Sequence, residues 1–147
     1  MWKISILVLS IFAFNSYGAE SELSENYFYN SGFDSTTELS HFIKELQRDV
    51  STGNRDSVAS KVSYPLAVHF PDSMLGINNS SDFIKHYDVI ITESVERVIL
   101  SQSLQELGRF AEGVRFGHGE VWIGSVKRQA SDEYKIKIIT INVKNGT

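Results

Sequence analysis

The chain has 147 residues, the size of one domain with its own hydrophobic core. It carries 18 Asp and Glu against 14 Lys and Arg, a formal net charge of −4, which argues against the phosphate backbone of nucleic acid as its ligand. There is no cysteine, which excludes disulfides, thiolate catalysis, zinc–thiolate centres and lipid attachment at a cysteine.

Residues 1–18 read as a secretory signal peptide and not as fold. Lys3 is a short basic start, Ile4 to Phe14 an apolar run too short to cross a bilayer, and Ser16 and Gly18 the small residues before a cut at Ala19. No later apolar run is long enough for a membrane span, so the mature chain is expected to be soluble, in the periplasm or secreted. Residues 19–34 form an N-terminal arm. It begins acidic, and then Tyr27, Phe28, Tyr29 and Phe33 are expected to pin it onto the domain. Residues 35–147 are read as a single domain.

Ser35-Thr36-Thr37-Glu38 has the form of a capping box, in which Ser35 accepts the Glu38 amide and Glu38 reaches back. Leu39, Phe42, Ile43, Leu46 and Val50 follow at helical spacing, with His41 on the wet face. Gly53 suits a helix stop, and Asn54 can cap a second short helix over Arg55 to Lys61. Val62 to Phe70 reads as a strand. Pro65 cannot donate to a ladder, so this strand is expected at a sheet edge or with a bulge. Pro71-Asp72-Ser73 is a turn, and Met74 to Ile77 a short return strand. Two helices are expected next, Asp82–Ile91 and Glu93–Ser101, jointed near Thr92, with Glu93 and Arg97 paired four residues apart.

The strongest element is the C-terminal ribbon, residues 117–126 against 134–143. Val121, Trp122 and Ile123 fit a pleated, half-buried surface, and Tyr134 to Ile138 alternates cleanly. The alternation slips at Ile138-Ile139, which predicts a bulge or cover on both faces. Gly117, Gly119 and Gly124 predict a sharp bend or a close approach of another segment. Trp122 is expected to be shut away from solvent.

The order helix, helix, strand, helix, then antiparallel strands resembles the NTF2-like (cystatin-like) superfamily. Bacterial secreted members are similar at Tyr64-Pro65-Leu66 and at Gly113 followed by Gly117-His118-Gly119-Glu120-Val121-Trp122-Ile123. The resemblance covers about Ser35 to Val143. It implies an α+β cone, with N-terminal helices packed on a curved antiparallel sheet around an apolar pocket. The superfamily holds isomerases, dehydratases, small-ligand binders, assembly domains and exported immunity proteins, so the likeness leaves the function open.

The candidate pocket residues are Tyr64, His69, Tyr87, His118, Glu120 and Trp122. His118 and Glu120 lie two apart. On a strand they would share a face with Trp122 and could form a general-base pair, although two ligands are too few for a metal. His69 at a strand end could line a cone mouth, and Tyr87 could turn its hydroxyl to a pocket. For each of these the structural role is preferred. No nucleophile elbow, phosphate-binding glycine loop or His-Glu-x-x-His is present, and no cofactor or metal is expected. The sequence points first to an exported, non-catalytic binding protein with a protein partner, a toxin-neutralising immunity protein being one concrete version. The alternative is a pocket enzyme of isomerase or dehydratase type, or a carrier of a small apolar ligand. Several of these residues converging on one enclosed apolar cavity would favour that alternative.

Overall fold

The computed structural model describes residues 23–144; the expected signal peptide lies outside the described residues. Helix α1 spans Thr36–Ser51 and α2 Arg55–Ser60; β1 (Leu66–Phe70) and β2 (Ser73–Ile77) form a hairpin. Three helices follow, α3 (Ser80–Lys85), α4 (Tyr87–Ile90) and α5 (Glu93–Ser101). The chain ends in β3 (Gly108–Phe110), β4 (Gly113–Phe116), β5 (Val121–Lys127) and β6 (Tyr134–Asn142). The class is α+β. One six-stranded sheet runs in the order β2-β1-β6-β5-β4-β3. It is mixed and not purely antiparallel, because β1 pairs with β6 in parallel through Val68–Ile141 and His69–Asn142.

The helices form where their caps and stripes predict. Ser35 accepts the Glu38 amide, Asn54 that of Ser57, Asn79 that of Asp82 and Thr92 that of Val95. The expected return contact from Glu38 is replaced by Glu25 of the arm, whose carboxylate accepts from the hydroxyls of Ser35 and Thr37. That contact, with buried Phe28 and Phe33, fastens the described part of the arm to the domain. Gly53 ends α1 at φ +68°, and the joint at Thr92 holds. A second break falls at His86, which separates α3 from α4. Glu93 and Arg97 pair at 2.9 Å.

One layer of apolar side chains joins helices to sheet. Leu39, Ile43, Leu46, Val95 and Ile99 meet Val68, Val114, Phe116, Val121, Ile123, Ile138 and Ile141, all buried in a single cluster. The slip at Ile138-Ile139 is a bulge: Trp122 faces Thr140 while Ile123 faces Ile138, so Ile139 is the extra residue. It lies against Gly124, where an added Cβ would come within 2.9 Å of its Cδ1.

Two expectations about this sheet are corrected. The strand after Pro65 is interior, flanked by β2 and β6; Pro65 precedes its first residue, so its missing N–H interrupts no ladder, and β2 takes the edge. Residues Gly117 to Glu120 are a tight turn between β4 and β5, not strand. Gly117 at φ +58° and Gly119 at φ +105° adopt backbone conformations that side-chain-bearing residues avoid, so the chain reverses there.

Candidate functional site

The pleat decides which side chains reach the surface opposite the helices. Val121 and Ile123 point to the core, so Trp122 points away, beside Arg115 of β4 and Thr140 of β6. Trp122 is therefore half-buried, not shut away, which corrects the expectation drawn from its residue type. On β1, Leu66 and Val68 are buried and His69 is exposed, paired with Met74 on β2 and Asn142 on β6. The outer face of the sheet thus carries Met74, His69, Asn142, Thr140, Trp122 and Arg115 across five strands.

The turn Gly117–Glu120 borders this face and is held from three sides. The Gly117 amide donates to the Gln102 side chain at the end of α5. Asn142 donates from its side chain to the Gly119 carbonyl and from its amide to the Glu120 carbonyl. The Glu120 carboxylate is buried; it accepts the His118 amide at 2.7 Å and the Lys144 ammonium at 2.9 Å. Burial alone would raise its pKa. The Lys144 ammonium and the backbone N–H groups of Glu120 and His118 outweigh burial and hold it below the ordinary carboxylate range. Glu120 thus pins the turn, and its contact with His118 is through the backbone amide. The His118 ring is exposed and makes no hydrogen bond among the described residues.

An open groove of about 460 Å³ runs along this border. His69, His118 and Trp122 line it together with Asn142 and Lys144. Three of the six candidate residues therefore come together, with Glu120 fixed behind them, while Tyr64 and Tyr87 lie elsewhere. The Tyr64 hydroxyl donates to the Ala59 carbonyl at 2.8 Å, which ties the end of α2 to the chain entering β1. Tyr87 is buried edge-on to Phe83, with the Arg55 guanidinium 4.9 Å from its ring centre. Burial is the main cause that raises both phenols above their usual range. A second groove, of about 450 Å³, lies between α1 and the start of β6. Glu38, His41, Glu45, Lys61, Lys135 and Lys137 line it, and it contains none of the candidates.

Sequence reasoning missed Arg115 and Phe110. Phe110 is 37% exposed and its ring sits 5.1 Å from Trp122, with the Arg115 guanidinium 4.5 Å above the Phe110 ring. The signal was available in Gly113-Val114-Arg115-Phe116, where a lone arginine alternates with apolar residues, but only the register β3–β4–β5 brings the three side chains together. Comparison with protein-family models and with curated proteins finds no match.

Proposed function

We propose that this chain is an exported, non-catalytic binding protein that engages another protein through the outer face of its sheet. A toxin-neutralising immunity protein is the concrete version of that role. The carrying observation is the cluster of Trp122, Phe110 and Arg115 on the side of the sheet away from the helices, since aromatic residues and arginine are the types that anchor protein interfaces. The open groove beside it, lined by His69 and His118, extends the same surface. The enzyme alternative asks for its groups on one enclosed cavity, and Tyr64 and Tyr87 sit apart from the histidines, each with a structural partner. The NTF2-like assignment remains part of this proposal; helices laid on one face of a six-stranded sheet support it.

The test is a pull-down from periplasmic extract of the native host, with the chain lacking residues 1–18 as bait. A protein retained by the wild type and lost with Trp122→Ala and Phe110→Ala is the expected result. Recovery of a bound small molecule with no protein would replace this reading by the carrier or enzyme alternative.

A further inference from the structure

The protein-binding reading is the premise here, and the chemistry of the partner is what the cluster adds. We propose that Arg115 is a carboxylate-recognition site: the partner segment that docks on the outer sheet face presents an Asp or Glu side chain flanked by apolar residues.

Arg115 stands apart from the other five arginines. Arg48, Arg55, Arg97 and Arg128 each face a carboxylate, and Arg109 donates to the Tyr27 carbonyl. Among the described residues Arg115 has neither an ion pair nor a hydrogen bond, and its Nε is buried without a partner. What holds it is aromatic. Its guanidinium lies 4.5 Å from the Phe110 ring centre and 6.0 Å from that of Trp122. The backbone leaves room for this stack. An added Cβ at Gly108 would come within 2.9 Å of the Phe110 ring and 3.0 Å of Arg115 Cγ, and one at Gly119 within 3.2 Å of Trp122 Nε1.

A guanidinium held against rings with its Nε buried keeps its two Nη groups for an incoming carboxylate, and the rings lower the local dielectric in which that pair forms. The surroundings favour the same partner. None of the six strands contains Asp or Glu, although they carry Arg109, Arg115, Lys127, Lys135 and Lys137. By the pleat Arg115, Lys135 and Lys137 share the side of Trp122, while Arg109 and Lys127 fall on the side of Val114 and Ile123, so the outer face carries three of these cations and no strand carboxylate. Such a face attracts an acidic partner and repels an identical face of a second copy.

The experiment places a benzophenone amino acid at Thr140, the register partner of Trp122, in the full chain expressed in the native host. Illumination should crosslink a second protein through a segment that contains Asp or Glu. Arg115→Glu should weaken binding of that purified protein by about tenfold or more, and Arg115→Lys, which keeps the charge but loses the fork, by several-fold. Reversing the partner's carboxylate to Arg should restore binding to Arg115→Glu, a rescue that a misfolded variant could not show. Unchanged binding by Arg115→Glu, a crosslinked segment without a carboxylate, or a crosslink back to this chain or to a second copy overturns the inference. If Thr140 captures nothing while a probe on α1 captures a protein, the carboxylate site and the outer-face placement fall and a protein-binding role through the helical side stands. If neither position captures a protein, both fall.

Discussion

Replacing Glu120 by Gln separates a structural carboxylate from a catalytic one. The side chain is 8% exposed and bonds the Lys144 ammonium at 2.9 Å and the His118 amide at 2.7 Å. Hydrogen bonds to a charged group contribute about 1.5–3 kcal/mol, more than neutral ones. Lys144 is 48% exposed, so solvent screening reduces its share to about 1 kcal/mol or less. Gln can still accept the His118 amide but loses the charge, so Glu120→Gln should cost about 1–2 kcal/mol at pH 7, and Glu120→Ala, which strands that amide, about 2–3 kcal/mol. The sign with pH follows from a folded-state pKa held below the unfolded one. The carboxylate stabilises the fold above the unfolded pKa, about 4.3, and that contribution is lost as pH falls through the folded value. Urea unfolding at pH 7 and at pH 3 is the assay, and the gap between wild type and Glu120→Gln should shrink at the lower pH. A variant as stable as wild type at pH 7, or a gap that does not change with pH, would refute the assignment of Glu120 as the pin of the 117–120 turn.

Asp49 makes a parallel case inside the helical layer. It is buried, with Lys61 at 2.7 Å and the Ser57 hydroxyl donating to it; burial opposes its charge, but these partners hold its pKa below the usual value. Asp49→Ala leaves Lys61 with the Ser57 hydroxyl at 3.3 Å and Glu45 at 3.8 Å and should cost about 3 kcal/mol in urea unfolding at neutral pH, the low end for breaking a buried pair. That contribution too is present above the unfolded carboxylate pKa and fades as pH falls through the folded one. Trp122→Ala should lower stability by about 2–3 kcal/mol, less than the most that a fully buried tryptophan costs, because the outward-facing indole is only partly covered; a calorimetric loss of about 4 kcal/mol or more would place the indole in the core.

The residues that were legible in the sequence are those whose signal is local. Ser35 and Asn54 cap helices because a side-chain oxygen three positions before an amide can reach it whatever surrounds them. The slip of alternation at Ile138-Ile139 marked a bulge because the period of a strand is two, and an extra residue must show. Gly117 and Gly119 marked a bend because backbone strain is a property of the residue itself. These features, with the apolar stripes, determined the α+β class and the C-terminal ribbon.

Only the tertiary structure decided which face of that ribbon is wet. Trp122 and Ile123 are both large and apolar, and nothing in their order says which one meets the helices. The helices lie on the side of Val121 and Ile123, so the indole turns outward to Arg115 and Phe110. Likewise, the six residues singled out as candidates divide between the outer groove and the helical layer. The contacts that settle this join β1 to β6, where Val68 meets Ile141 from far along the chain, and lay the helices on the side of Val121 and Ile123, which composition and spacing do not encode.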